Sequence, residues 1–255
     1  MMFYSRFGLA LSRRDMLVEG YRYLHKALQI AEEIGDIKGV GYSCMWLTPV
    51  CADMGLVDEA IIYGERAREA AHRFELDQDL SGMVLFYSAY AYWIIGDVKK
   101  TAECGQAGLD YGRKHSDLRC IALHYNAMGM SYSSAGDFPS AIDFYKKSIQ
   151  VSTDPVISHG ARTLLGLCYL NTGQLKEVQS TLEEVIGYSE KFGYEWVGAA
   201  SQLMKGVVLI THGDLKQGVS LCENIIRLYL ENRSLWGYAN GNYLMGRVYS
   251  KIAQS

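Results

Sequence analysis

Only three prolines interrupt the 255 residues. That is too few for a polyproline or loop-dominated chain, so long helices are permitted almost everywhere. Long apolar runs are missing too. Stretches such as Gly206 to Ile210 fall far short of the roughly 18 residues that span a bilayer, and no basic leader precedes a long apolar segment. No membrane insertion is expected. Cationic clustering is absent as well: the formal net charge is -3 with a pI near 6.1, and no helix face collects lysine and arginine. Nucleic acid is therefore not an expected partner. Six cysteines, at 44, 51, 104, 120, 168 and 222, are spread too widely for a disulfide framework. They read as single core fillers in a reducing cytoplasm.

Catalytic chemistry is also lacking, and no cofactor is expected. Lys99-Lys100-Thr101 after Gly96 misses the glycine of a phosphate loop and follows no strand. Cys120 and His124 share a helical face at i, i+4 with His115 nearby, but no second ligand pair has metal spacing. The plainer reading is a buried thiol beside a surface imidazole. The adjacent carboxylates Glu32-Glu33, Asp58-Glu59 and Glu183-Glu184 point about 100° apart on a helix, so they suit solvated faces and not a catalytic dyad. The remaining histidines, 25, 72, 159 and 212, lie beside no nucleophile motif. The sequence predicts a non-enzyme without a metal site.

What the chain does have is a period. Turn signals stand at Asp15-Met16, Gly55-Leu56, Gly96-Asp97, Gly136-Asp137, Gly173-Gln174 and Gly213-Asp214, at intervals of 40, 41, 40, 37 and 40 residues. Such self-similarity marks a stacked repeat array. Counted from each turn, small residues recur seven before it (Gly8, Thr48, Ala89, Gly129, Gly166, Gly206, and Gly246 in the last segment). They recur five after it (Gly20, Ala60, Thr101, Ala141, Val178, Gly218) and, more loosely, twelve after it (Ala27, Ala67, Gly108, Ser148, Val185, Ile225). Larger groups stand four before it: Leu11, Cys51, Tyr92, Tyr132, Tyr169, Leu209 and Tyr249. Small columns allow helix backbones to approach, and the large column fills what remains.

On these columns the chain resembles the tetratricopeptide repeat family over nearly its whole length, although several units lack the family's first-helix tryptophan and closing proline. The resemblance implies an all-α, right-handed superhelical solenoid of antiparallel helix pairs: about six pairs plus a C-terminal helix from about Trp236 to Ile252, in one domain over residues 1–255. The unit of about 40 residues exceeds the common 34 by about one and a half helical turns. The extension is expected at the junctions Ala31 to Asp36, Ala71 to Asp77, Tyr111 to Asp117 and Ser189 to Tyr194. Long repeats of this kind are similar to those following the cyclase and ATPase modules of bacterial signalling proteins, notably around Phe3 to Ala10 and Gly136 to Ile142. They are also similar to those of maltose-type transcription activators. Pro139 and Pro155 begin helices after Asp137 and Asp154, whereas Pro49 falls inside a first helix and predicts a kink or early break that opens the groove locally.

First helices line the concave side of such an array. Residues 13, 10, 6 and 3 before each turn form one stripe facing it. These are Tyr42, Met45, Pro49 and Ala52, then Met83, Phe86, Tyr90 and Trp93, then Leu123, Asn126, Met130 and Ser133. Gly160, Thr163, Leu167 and Leu170 follow, then Ala200, Leu203, Val207 and Ile210. The expected partner-binding groove centres on Tyr42, Met45, Phe86, Tyr90, Trp93, Asn126 and Met130. It is apolar and methionine-rich, without the cationic clamp that some members of the family use, and suits an apolar helix or peptide. The alternative is that these side chains are simply core in a tightly wound superhelix. The partner is expected to be a distant part of a parent protein, a second copy of this chain, or a separate protein. Neither end has a strongly polar capping unit, Arg247 and Lys251 aside, which fits a piece of a longer protein or a chain that pairs through its ends. The function expected is an interaction scaffold, the regulatory region of a multidomain signalling protein such as a nucleotide cyclase. A small-ligand sensor of the maltose-activator type is the alternative.

Overall fold

The computed structural model describes residues 2–73 and 78–253, without the side chains of 2, 78, 79, 251 and 252. In it thirteen α-helices follow one another: α1 (Met2–Arg13), α2 (Leu17–Glu33), α3 (Ile37–Asp53), α4 (Val57–Arg73), α5 (Gln78–Ile95), α6 (Val98–Lys114), α7 (Leu118–Ser134), α8 (Phe138–Val151), α9 (Pro155–Asn171), α10 (Leu175–Phe192), α11 (Glu195–Thr211), α12 (Leu215–Glu231) and α13 (Leu235–Ile252). No strand occurs among the described residues. The architecture is the expected solenoid, six antiparallel pairs and a last single helix.

All six predicted turns close the same way. Asp15, Gly55, Gly96, Gly136, Gly173 and Gly213 each have positive φ, a conformation that ends a helix by turning its next N–H back onto an exposed carbonyl. The following amide bonds to the residue of the large column: Leu56 N to Cys51 O at 2.8 Å, Asp97 N to Tyr92 O at 2.9 Å, Asp214 N to Leu209 O at 3.0 Å. The aspartate of each Gly-Asp pair then caps the second helix. Asp97, Asp137 and Asp214 accept from Lys100 N, Ser140 N and Gln217 N at 3.0, 3.1 and 3.2 Å. Glycine stops one helix and aspartate starts the next.

The junctions behave similarly. Gly35, Ser116, Gly193 and Arg233 also have positive φ, and Asp36 and Asp117 cap α3 and α7. The added length of the unit is helical: α2, α6 and α10 run on to Glu33, Lys114 and Phe192 before turning. Phe74 to Asp77, the predicted junction after α4, lies outside the described residues. The one short interval belongs to α8, which has 14 residues where its neighbours have 17. Asp154 caps α9 by accepting from Val156 N at 2.9 Å. Pro49 does not break α3, which continues to Asp53. Packing on both flanks holds the helix through the missing bond; Met45, Leu47, Thr48, Val50 and Cys51 around it are all buried.

The small columns are where pairs touch. All residues at +5 and +12 are buried, and at the tightest crossing α11 meets α12 backbone to backbone. A methyl group on Gly218 would stand 2.6 Å from the carbonyl oxygen of Gly206. Within each pair the first helix is inner and the second outer: α7 is buried on most sides, α6 only along Thr101, Gly105, Gly108, Leu109 and Gly112. The winding is tight enough that the array meets itself. Asn232 Nδ2 donates to Asp15 Oδ2 at 3.5 Å across 217 residues of sequence. Trp236 packs on Trp93 with ring centroids 5.0 Å apart, Leu235 lies against Gly55, and the Arg13 guanidinium sits 5.7 Å from the centre of the Tyr194 ring.

Candidate functional site

Because the array coils back on itself, its concave face is narrowed to a partly open pocket. Inner helices from α1 to α11 surround a cavity of about 180 Å³, within which four of the seven predicted groove residues are brought together: Phe86, Tyr90, Asn126 and Met130. Pro49, Met83, Leu123 and Gly160 from the same stripe also line it. The other three lie elsewhere. Met45 is wholly buried, Tyr42 packs at the margin of the core beside Lys38, and Trp93 is taken up between Tyr90 and Trp236.

Further lining residues come from positions that the stripe did not include. Trp46 and Tyr87 each stand nine residues before a turn, and Arg13 and Asp53 each stand two before. Reading one more column on either side would have found them. Tyr194, Trp196, Arg119 and Asp154 come from helix starts at junctions, where the periodic columns carry no signal. The aromatic side chains brace one another: Trp46 and Tyr87 at 5.1 Å, Phe86 and Tyr87 at 5.2 Å, Tyr90 and Trp196 at 6.4 Å between centroids. Such mutual contacts hold the wall rigid around an apolar interior.

Polar groups divide into two sets. Around Tyr87 are Arg13, Arg119, Asp154 and Tyr194, with Arg119 Nε 3.4 Å from Asp154 Oδ2 and its other nitrogen 3.5 Å from Met83 Sδ. In the second set the Tyr90 hydroxyl donates to Asp53 Oδ1 at 2.8 Å and is itself bonded by Trp196. Burial pushes the Asp53 carboxyl up to about 7; the Tyr90 bond opposes this and nearby Asp15 adds to it. Asp15 is raised to about 7 for the same reason, burial, against the bond from Asn232 and with a contribution from Glu195. Asn126 is 4 % exposed, and its amide oxygen has no hydrogen-bond partner.

The Cys120 and His124 pair is not as expected, since His124 lies in the core and not at the surface. It fills the space opposite Gly108, where a methyl group would come within 2.0 Å of its ring. Its Nδ1 bonds to Cys120 O at 2.8 Å. Burial lowers the imidazole to about 4 and raises the Cys120 thiol to about 12, so near neutrality the imidazole stays neutral and the thiol protonated, and neither suits proton transfer. Among the described residues no three His, Cys, Asp or Glu side chains are grouped to hold a metal ion, and no helix is long and apolar enough to cross a membrane.

The tetratricopeptide repeat profile matches residues 125–155 and 159–192, spans that fall largely on the pairs α7–α8 and α9–α10. No curated protein matches the sequence significantly. Solved structures with a similar fold include a Rap protein complexed with competence and sporulation factor, at TM-score 0.69 and 14% identity over 99% of this chain and 75% of that one. Another is NprR in complex with its cognate peptide NprX, at TM-score 0.69 and 17% identity over 96% and 74%. A third is the signal transduction ATPase PH0952 of Pyrococcus horikoshii, which carries a tetratricopeptide repeat sensor, at TM-score 0.54 and 13% identity over 97% and 41%. At these identities the likeness is one of fold: the chain is a tetratricopeptide-type helical solenoid, and two of its helix pairs carry the repeat in recognisable sequence.

Proposed function

We propose that residues 1–255 form one solenoid domain that acts as a non-catalytic interaction scaffold in the cytoplasm and receives an apolar peptide or helix on its concave face. The observation that carries this reading is the partly open aromatic cavity, lined from every inner helix between α1 and α11 and carrying few polar groups. An apolar interior with a few fixed polar side chains is the usual make-up of a ligand site. Two similar folds, the Rap protein and NprR, are described as complexes with competence and sporulation factor and with a cognate peptide, which favours a peptide. All six thiols are free, in keeping with a reducing compartment.

We further propose a regulatory role within a larger signalling protein such as a nucleotide cyclase. Its support is the resemblance of the long repeats and the sensor role printed for the similar ATPase. The test is calorimetric titration with a panel of apolar and amphipathic peptides. Micromolar binding of one class, lost on filling the cavity, is expected. Binding of a metabolite with no affinity for any peptide would replace this reading with the second one, a small-ligand sensor, which the small volume of the cavity also favours.

A further inference from the structure

The polar groups of the cavity form two clusters. Its arginines are taken up around Tyr87, where Arg119 pairs with Asp154 and Arg13 lies over Tyr194. Asp53 belongs to the other, and is 7 % exposed. The titratable groups facing it are Tyr90 on α5, Asp15 at the first turn and Tyr229 on α12, with Glu195 beyond Asp15. Among the described residues no lysine, arginine or histidine pairs with it. One hydroxyl donor, from Tyr90, leaves most of the acceptor capacity of a carboxylate unused. The unpartnered amide oxygen of Asn126 lines the same space. The interior thus offers acceptors and aromatic faces, and an occupant must bring donors and positive charge.

We propose that this part of the cavity receives an ammonium group carried on an apolar body, with Asp53 as its counter-ion, Asn126 as a second acceptor, and Tyr90 and Trp196 as the aromatic surroundings. The inference rests on the cavity being the binding site proposed above. An unpaired carboxylate is costly to bury, so in the empty cavity Asp53 holds its proton to about pH 7. An incoming ammonium supplies the missing opposite charge and favours ionisation. A metal ion fits less well, because Asp15 does not line the cavity and no third ligating side chain is grouped with the two. Two sources share this chemistry, a free organic amine and the amino terminus of an apolar peptide.

Quenching of tryptophan fluorescence, with Trp46 and Trp196 in the wall, can follow the test. The probes are 2-phenylethylamine against its neutral counterpart 2-phenylethanol, and one apolar hexapeptide with a free or acetylated amino terminus. At about pH 8, where the amine remains charged, the amine should bind at least about tenfold more tightly than the alcohol. That advantage should shrink several-fold at about pH 6 as Asp53 becomes protonated. Asp53→Asn should remove it, bringing the amine's affinity down to about that of the alcohol. A matching preference for the free over the acetylated peptide assigns the site to a peptide terminus; preference confined to the small amine assigns it to a free amine. Equal binding of amine and alcohol by the wild-type protein overturns the inference, as does a charge preference that does not change with pH. Binding of the acetylated peptide without any preference for charge overturns it while leaving the proposed function standing. Failure of every probe and peptide overturns both.

Discussion

The same stripe of inner-helix positions has two fates along the chain. From α3 to α9 its residues surround a cavity of about 180 Å³. In α11 the equivalent Leu203, Val207 and Ile210 are buried in a continuous core with Leu244, Met245 and Val248 of α13, and the space left there is about 40 Å³. Two physical differences separate the regions. The first is bulk and stiffness: Trp46, Phe86 and Tyr87 prop one another apart, whereas aliphatic side chains interdigitate and leave a smaller gap. The second is cover, because α13 packs onto α11 and sets Trp236 over Trp93. A periodic pattern therefore chooses which face points inward, while residue size and the next helix choose whether that face stays open.

The comparison can be broken hardest at the filled end. Gly218→Ala places a methyl group 2.6 Å from the Gly206 carbonyl oxygen, where backbone cannot yield cheaply, and should cost about 3 kcal/mol in chemical denaturation. A cost below about 0.5 kcal/mol would mean that α11 and α12 are not locked at this crossing. Trp236→Ala should cost about 2 kcal/mol and let an apolar dye bind beside α11. If the dye stays out, the cover supplied by α13 is not what closes that end.

Acidity acts chiefly where the coil meets itself. Asp15 and Asp53 are raised from 3.8 to about 7, so the folded chain holds protons that the unfolded chain releases between those values. Their stabilisation is complete below about pH 4 and lost as pH rises through 7. His124, lowered from 6.5 to about 4, works the other way: its contribution is complete above 6.5 and declines as pH falls toward 4. Lowering the pH from 8 to 6 should therefore raise stability by on the order of 1 kcal/mol. In the Asp15→Asn, Asp53→Asn double variant the sign should reverse: a thermal-melt series should show a loss of somewhat under about 1 kcal/mol over that range, the His124 contribution alone.

The smallest expected change is the most discriminating. At neither Gly160 in the cavity wall nor Gly187 on the outer helix α10 does any non-local atom lie within 4 Å of where an added Cβ would stand. Leucine at either place should add about 0.7 kcal/mol through helix propensity. Only Gly160→Leu should abolish peptide or probe binding. Loss of binding with Gly187→Leu as well would move the site off the concave face.

Much of the fold was written in local chemistry. A Gly-Asp pair stops one helix and caps the next, whatever lies elsewhere in the chain, so Gly96-Asp97, Gly136-Asp137 and Gly213-Asp214 could be read directly. Crowding between neighbouring helices is nearly as local, and the small columns record it. The candidate site was legible in part: Phe86, Tyr90, Asn126 and Met130 share the cavity, while Trp46, Tyr87 and Asp53 fell in columns next to the stripe. The early break at Pro49 and the surface place of His124 were misread for one reason. A helix-breaking ring and a titratable imidazole were judged by their own preferences, and packing on both sides of α3 and the hollow opposite Gly108 overrode them.

By itself, then, the sequence determined the period, the helix ends and the face that turns inward, because each depends on contacts within a residue or two of a turn or between adjacent helices. Only the tertiary structure decided that the coil is tight enough to bring Asp15 to Asn232, to bury two carboxyls and to narrow the groove to a partly open cavity. Curvature is the sum of small rotations over six helix pairs, and no single repeat contains that sum.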